Sequence, residues 1–255
     1  FDKKSAERRY FRESQFDKII KQDNEYHRVL ELGQGFTSND LAYHHQIIHG
    51  YSAIKPQLIQ DIVDNNLYQS SDPKIPVNLP VISMLNGKYI ITPGQVQHPA
   101  LELLSVNQQQ NKVLYLNKEV LPRTFFVSQM KKLPDETAVV KFMNSSQFKP
   151  DSIALVSNNK LTEKNYSTTG EAEITEYTPN QVVLSSSNEG EGFLILSEAY
   201  FPIGWTCTID GKPTEIYQVN HILRGIEVPS GDHEIVFTFE PKSYQRAQMI
   251  SNITT

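Results

Sequence analysis

The sequence predicts an α+β protein, with a mixed α/β region in residues 1–160 and an antiparallel, immunoglobulin-like β-sandwich in residues 168–245. The C-terminal part consists of short alternating segments separated by turn residues, which is typical of sandwich strands. The N-terminal part carries apolar residues at helical spacing between extended segments. A polar run at 157–170, SNNKLTEKNYSTTG, separates the two and is typical of a linker. With 255 residues, 38% of them apolar, the chain can fill two cores.

The first elements are predicted from periodicity and capping residues. The first twenty residues fit a partly amphipathic helix, and Tyr26–Leu32 fits a strand. Ser38-Asn39-Asp40 supplies an N-cap signal for a helix that reaches about Ile48, and Gly50 would end it.

A second helix is predicted over about Ala53–Asn65, with Pro56 in its first turn, where a missing N–H costs little. Its apolar face would hold Ile54, Leu58, Ile59, Ile62 and Val63. The later elements of this region are a short buried helix or turn at Leu79–Leu85, strands at Lys88–Thr92, Lys112–Leu116 and Arg123–Val127, a helix at Pro134–Met143 and a closing segment at Phe148–Val156.

Seven strands are predicted in the C-terminal part, about the number in an immunoglobulin-like sandwich. The sequence Asp210-Gly211 and the segment Pro229–Asp232 are turn signals between them. The strands are Glu171–Tyr177, Gln181–Ser186, Phe193–Ala199, Thr206–Ile209, Thr214–Gln218, Ile222–Val228 and His233–Phe239.

Composition excludes several classes of protein. The net charge is −5 and the 24 basic residues are scattered, so no nucleic-acid partner is expected. No stretch approaches the roughly 18 to 20 consecutive apolar residues that span a bilayer, so the chain as given is predicted to be soluble. The single cysteine, Cys207, allows no internal disulfide, and we expect it to be a buried apolar residue on a core strand beside Trp205.

Three stretches, in order along the chain, resemble patterns of one bacterial family. The first is Tyr43-His44-His45-Gln46-Ile47-Ile48-His49-Gly50-Tyr51 with Lys55 and Gln60-Asp61, and the second is Leu79-Pro80-Val81-Ile82-Ser83-Met84-Leu85-Asn86-Gly87-Lys88-Tyr89-Ile90-Ile91. The third comprises Tyr200-Phe201-Pro202-Ile203-Gly204-Trp205, Asp210-Gly211-Lys212, Gln218-Val219-Asn220, Leu223-Arg224-Gly225 and Val228-Pro229-Ser230-Gly231-Asp232-His233, with Ile203 as an insertion. Together they resemble the extracytoplasmic C-terminal region of YfhO-like proteins, multi-pass membrane proteins grouped with glycosyltransferases of the GT-C type.

The resemblance implies a fragment of an integral membrane protein, on the extracytoplasmic (periplasmic) face of a bacterial membrane. Transmembrane helices would precede Phe1, and one more would follow Thr255. The domain would be accessory to transfer of a sugar from a polyprenyl-phosphate donor to a cell-envelope glycan or lipid. Its partners would be the parent protein's transmembrane helices and a glycan or polyprenyl-linked sugar. The catalytic acidic residues would lie outside this chain, so we expect the fragment itself to be non-catalytic.

Six residues are candidates for a ligand site or an interface. His45, Tyr51, Lys55 and Gln60 match the family pattern, and their aromatic face, donors and cation suit a sugar or a phosphate. Alternatively, these four lock two helices together and against the membrane part. Trp205 is either a platform for a glycan or a core anchor, and Arg224 is expected to make structural contacts nearby.

The histidines do not predict a metal site. On the predicted helix His45 and His49 would stand one turn apart, which is a zinc-binding spacing, with His44 beside them. The accompanying glutamate of zinc proteases and a third ligand are missing from the pattern. We predict no metal, no cofactor and no catalytic residue in the chain.

Two other functions remain open on the sequence. A carbohydrate-binding or adhesion module would recognise glycan through Trp205, and it requires an exposed Trp205. A free-standing glycoside hydrolase would need two facing carboxyl groups, at least one with a displaced pKa. The membrane-protein hypothesis instead predicts an apolar or irregular surface on this domain, left by the missing membrane part.

Overall fold

The computed structural model describes residues 11–33, 37–70, 72, 74–157, 160–166 and 170–241. The chain divides into two compact units, Phe1–Arg123 with Asn144–Ser146, and Thr124–Met143 with Gln147–Thr255. The predicted ranges 1–160 and 168–245 place a boundary later in the chain. Thr124–Met143 belongs with the second unit, and Thr124–Val127 pairs with a strand of its sandwich.

The first unit is built on a mixed four-stranded sheet in the order β1-β2-β4-β3. Strand β1 runs parallel to β2, while β4 is antiparallel to both β2 and β3. The strands are β1 Arg28–Glu31, β2 Gly87–Pro93, β3 Leu101–Asn107 and β4 Lys112–Asn117. The helices are α1 Gln15–Ile20, a 3-10 helix Asp40–Tyr43, α2 Gln57–Ile62, a π-helical turn Val63–Leu67 and α3 Leu79–Met84.

Both faces of this sheet are covered, because successive residues of a strand point to opposite sides. Tyr89 and Ile91 of β2 pack with Phe16 and Ile20 of α1 on one face. Ile90 packs on the other face in a second core, whose members from outside the sheet include Leu67, Ile75, Val77, Leu79 and Ile82. The sheet is therefore the middle of three layers, which explains its near-continuous apolar strands.

The predicted helix from Ser38 to Ile48 is wrong beyond a single 3-10 turn, Asp40–Tyr43. Residues 46–48 are extended instead, because they complete hydrogen bonds that β1 leaves open. The N–H of Val29 donates to the carbonyl of Gln46 at 2.9 Å, and the N–H of Ile48 donates to the carbonyl of Val29 at 3.0 Å. Tertiary pairing at a sheet edge thus overrides the local helical pattern.

The other predicted elements of the first unit differ mainly at their ends. The helix in the first twenty residues is confirmed at Gln15–Ile20, where Ser14 and Asp17 form a capping box, while residues 1–10 lie outside the described residues. The helix predicted from Ala53 begins only after Pro56, so Ile54 is 92% exposed instead of lying on its apolar face. Strand β3 was not predicted.

The described part of the second unit contains two larger sheets, a small third sheet and one helix. The five-stranded sheet has the order β13-β12-β16-β10-β9 and the four-stranded sheet has the order β14-β15-β11-β5. The strands of these two sheets are β5 Thr124–Val127, β9 Gly170–Thr178, β10 Gln181–Asn188, β11 Gly192–Ala199, β12 Trp205–Ile209, β13 Lys212–Thr214, β14 Tyr217–Val219, β15 Leu223–Val228 and β16 Gly231–Phe239. The remaining elements are β6 Gln129–Lys132, β7 Ile153–Val156, β8 Lys164–Asn165 and helix α4 Glu136–Phe142.

The two larger sheets share one hydrophobic core. Alternate residues of β10 and β16 face alternate residues of β11 and β15 across it, including Leu184, Ile235, Leu194 and Ile226. A single seven-stranded sandwich is not confirmed. The predicted strand Thr214–Gln218 is divided between the sheets, as the ends of β13 and β14, and β5 joins from earlier in the chain.

Asn220 connects the sandwich to the small sheet. Its side-chain Oδ1 accepts a hydrogen bond from the N–H of Leu155 at 2.8 Å, and its own N–H donates to the carbonyl of Leu155 at 2.9 Å. Asn220 is completely buried and has a left-handed backbone, with φ of 47°. Asparagine tolerates this conformation better than other residues with a Cβ, and it supplies the acceptor that Leu155 needs.

We predict that Asn220→Ala lowers the free energy of unfolding by about 3 kcal/mol, measured by urea denaturation. The loss combines a buried N–H of Leu155 left unsatisfied, about 1–3 kcal/mol, and left-handed strain on alanine, about 1 kcal/mol. Asn220→Gly removes only the hydrogen bond, so it should cost about 1 kcal/mol less than the alanine variant.

Asn180→Ala is the matched control, because Asn180 is exposed in the same unit and surface changes cost less than about 0.5 kcal/mol. If Asn220→Ala is as stable as Asn180→Ala, Asn220 does not hold the small sheet to the sandwich.

Candidate functional site

His45 is buried against helix α1 in the first unit. Its Nε2 lies 2.7 Å from Oδ1 of Asp17, and the two side chains are 3% and 4% exposed. Burial raises the pKa of Asp17, but hydrogen bonds from His45 and from the side chain and backbone of Ser14 outweigh it and lower the pKa to about 2. A buried carboxylate with three hydrogen bonds is compensated. His45 therefore ties the segment after the 3-10 helix to α1.

The predicted pairing of His45 with His49 on one helix face is wrong, because residues 46–48 are extended. The Nδ1 of His49 accepts a hydrogen bond from the N–H of Glu31 at 3.2 Å, and burial lowers the pKa of His49. The two imidazoles thus have different partners. Among the described residues there is no group of three or more His, Cys, Asp or Glu side chains that could hold a metal ion.

Tyr51, Lys55 and Gln60 differ in their surroundings. The ring of Tyr51 is 63% exposed, while its backbone N–H and carbonyl both bond the side chain of Asn39, at 2.8 and 2.9 Å. Gln60 donates to Asp64 Oδ1 at 2.6 Å within its own helical segment, and Lys55 is half-buried. A common ligand site for these residues stays a prediction.

Four large apolar side chains of the first unit point into solvent on or beside residues 39–54. We call Phe11, Tyr43, Tyr51 and Ile54 the apolar surface; their exposed fractions are 55%, 53%, 63% and 92%. The rings of Phe11 and Tyr43 meet edge to face, with centroids 4.9 Å apart. Three of these side chains lie on one segment and the fourth, Phe11, contacts it through Tyr43, an arrangement that suits contact with an apolar partner.

Trp205 and Arg224 form a stacked pair in the second unit. The guanidinium carbon of Arg224 lies 3.9 Å from the centroid of the Trp205 ring, and the ring of Phe239 is 5.3 Å away. Arg224 is 5% exposed and its Nε donates to the carbonyl of Ala199 at 3.0 Å. Burial lowers the pKa of Arg224. A sugar could stack on this face of the indole only by displacing the arginine.

Cys207 is buried two residues beyond Trp205, as predicted. Burial raises the pKa of its thiol to about 12, with a smaller opposing effect from Arg224. At neutral pH the side chain is therefore a thiol and not a nucleophilic thiolate.

Asp210 links two of the turns that carry the family resemblance. Its Oδ2 lies 2.7 Å from Nδ1 of His233, and its Oδ1 accepts from the N–H of Glu234 at 3.0 Å. The hydrogen bond between the two side chains lowers the pKa of Asp210 and raises that of His233. Asp210 and Gly211 both have positive φ, 50° and 76°, as a tight hairpin turn requires. These motif residues therefore build turns in the structure.

An open groove of about 480 Å³ lies in the first unit beside the start of β3. Its wall includes polar side chains of Lys74, Gln95, Gln97 and His98, together with buried Tyr115. The Oη of Tyr115 accepts from the N–H of Val96 at 2.8 Å, which leaves the hydroxyl proton available as a donor. No sequence motif marks this groove, because its residues are scattered over irregular segments and two strands.

One of the comparisons with known proteins identifies a family. A family model described as "Bacterial membrane protein YfhO" matches residues 5–251. The comparisons with curated proteins and with solved structures found no match. Within the described part of the chain, no helix has the length and apolarity needed to cross a bilayer.

We predict that Asp17 makes stability depend on pH in acid. The pKa of Asp17 is about 2 in the folded protein, against 3.8 for an ordinary aspartate as in the unfolded chain. Its contribution to the free energy of unfolding is therefore complete above pH 3.8 and is lost as the pH falls toward 2. The contribution is about 2 kcal/mol, since one pKa unit corresponds to about 1.4 kcal/mol. Urea unfolding at several pH values should give a steeper decline for the unsubstituted chain than for Asp17→Asn.

The control is Asp40→Asn, which removes an exposed carboxylate from the same unit. It should keep the steep decline. Equal slopes for Asp17→Asn and the unsubstituted chain would contradict the stabilising pair.

Proposed function

Because the chain belongs to the bacterial membrane protein YfhO family, we propose that it is an extracytoplasmic domain accessory to a membrane-embedded glycosyltransferase of the GT-C type. The membrane part would transfer a sugar from a polyprenyl-phosphate donor to a cell-envelope glycan or lipid. This domain would cover that part and help to hold the acceptor. The observation that carries the proposal is the apolar surface of the first unit.

The apolar surface is suited to docking because contacts within the first unit already fix the backbone that carries it. Asn39 fixes the backbone of Tyr51 through two hydrogen bonds, and the buried pair of Asp17 and His45 fixes the segment that follows Tyr43. Fewer conformations are then lost on contact, so more of the burial energy goes into binding. Tyr43 and Tyr51 also belong to the sequence pattern that resembles the family.

The groove in the first unit supports contact with a glycan. Lys74 offers an ammonium group, and Gln95 and Gln97 offer carboxamides that both donate and accept hydrogen bonds. Such side chains suit a ligand rich in hydroxyl groups, and a lysine adds attraction for an acidic sugar. We therefore assign the groove to the acceptor glycan.

The two other functions have less support. Glycan recognition through Trp205 meets a ring already stacked with Arg224. A glycoside hydrolase needs an acid whose pKa is raised. Every described carboxyl group with a displaced pKa has its pKa lowered. These groups are Glu13, Asp17, Asp23, Asp72, Glu136 and Asp210.

We predict that a photoreactive amino acid introduced at Ile54 of the full-length protein crosslinks to its own membrane-spanning part. Ile54 is 92% exposed, so the replacement should not disturb folding, and docking would bring the probe within a few ångströms of that part. Crosslinks would be mapped by mass spectrometry after irradiation of membranes.

The same probe at Val106 is the control, because Val106 is 38% exposed on β3 and lies outside both the apolar surface and the groove lining. Equal crosslinking from both positions, or none from Ile54, would contradict docking through the apolar surface.

We further predict that Lys74→Ala with Gln97→Ala weakens binding of an acidic cell-envelope glycan by about tenfold. A hydrogen bond to a charged group contributes about 1.5–3 kcal/mol, and 1.4 kcal/mol is a factor of ten. Calorimetric titration would give the dissociation constants. Lys118→Ala, which removes a different exposed lysine of the same unit, should leave them unchanged. Unchanged binding by the double variant would exclude the groove.

A further inference from the structure

The second unit carries an exposed apolar loop between strands β11 and β12. The loop is Tyr200–Gly204, and its residues Phe201 and Ile203 are 42% and 62% exposed. Pro202 stands between them. Because proline has no N–H, the loop tip has one backbone donor fewer that would need a hydrogen-bond partner away from water.

The loop is anchored at both ends, so its apolar residues are held outward. At its start the N–H of Tyr200 donates to the carbonyl of Ile222 at 2.6 Å. At its end the carbonyl of Gly204 accepts from the N–H of Glu240 at 2.7 Å. Gly204 has φ of +88°, and a Cβ there would stand only 2.8 Å from the Phe239 ring, so the turn requires glycine.

The loop lies where the described chain leaves the sandwich. Pro241, the last described residue, is in contact with Gly204: a Cβ on that glycine would lie 3.1 Å from Cβ of Pro241. Pro241 therefore lies at the same end of the unit as Phe201 and Ile203. In a family of membrane proteins, an exposed apolar loop marks a side of the domain that is expected to meet the membrane.

We propose that the Tyr200–Gly204 loop contacts the lipid bilayer, with Phe201 and Ile203 inserted at the boundary between headgroups and acyl chains. Aromatic side chains favour this interface, and apolar residues at the tip of an anchored loop can enter it with little loss of conformational freedom. The proposal rests on the family's membrane location and on the loop geometry. It goes beyond the proposed role in sugar transfer and does not depend on it.

The chain contains its own reporter for this contact. Trp205 is the single tryptophan, and it directly follows the loop. We would mix the 255-residue chain with vesicles of phosphatidylethanolamine and phosphatidylglycerol whose acyl chains carry bromine near the headgroup. We expect quenching of Trp205 fluorescence that rises with lipid concentration and persists in about 0.5 M NaCl, where charge attraction is screened.

Two loop variants and one control make the contact specific. Phe201→Ser and Ile203→Ser should each weaken vesicle partitioning by about tenfold, because each removes an apolar side chain from the interface. Leu103→Ser, which removes an exposed leucine from the first unit, should leave quenching unchanged. Both side chains project into solvent, so we expect both loop variants to fold. Near-ultraviolet circular dichroism would verify this.

Quenching that is absent, that disappears in salt, or that survives both loop substitutions would overturn the proposal. Quenching that Leu103→Ser reduces as much as the loop variants would also overturn it. None of these results bears on the crosslinks from Ile54 or on glycan binding in the groove, so the membrane contact and the proposed function can fail separately.

Discussion

The buried pair of Asp17 and His45 is the interaction on which the exposed surface of the first unit depends. A carboxylate that is 4% exposed is tolerated only when its charge is compensated, and here His45 and the Ser14 cap together do so. The pair fixes the chain just before it turns into the extended segment at 46–48. Tyr43 lies just before that fixed region, while the backbone of Tyr51, after it, is held by two hydrogen bonds with the side chain of Asn39.

The second unit also buries a charged side chain, and it compensates the charge with different groups. Arg224 is buried, and its charge is accommodated by the Trp205 ring and by a hydrogen bond to the carbonyl of Ala199. Asn220, a few residues earlier, satisfies both backbone groups of Leu155. The loop of Phe201 and Ile203 is anchored beside these contacts, through the hydrogen bond from Tyr200 to Ile222. Two of the candidate binding residues from the sequence, His45 and Arg224, thus make buried contacts within their own units, while Tyr51 lies on the exposed apolar surface.

Both units leave apolar side chains in solvent at positions that are fixed by hydrogen bonds or by a tight turn. The contacts that we propose for a protein of a membrane family would account for this exposure. An isolated globular protein gains stability by turning such side chains inward. In the first unit they lie on a segment fixed by Asn39, and in the second on a loop that Gly204 shapes. In each unit, burying these side chains against an apolar partner or lipid would gain the hydrophobic free energy that is not gained while they are exposed.

The sequence by itself determined the features that rest on local chemistry. The Asp210-Gly211 turn, the helix at Leu79–Met84, the burial of Cys207 and most sandwich strands follow from turn residues, caps and alternation, which act over a few neighbouring positions. Three family motifs, read as residue strings, also identified the family. Only the tertiary structure decided which distant residues meet. Residues 46–48 became extended because Val29 offered unpaired backbone groups, and the strand predicted at Thr214–Gln218 was split because its two ends pair in different sheets. The partners of His45 and Trp205 come from other elements of the chain, and no local pattern encodes them, because such pairs exist only once the sheets have packed.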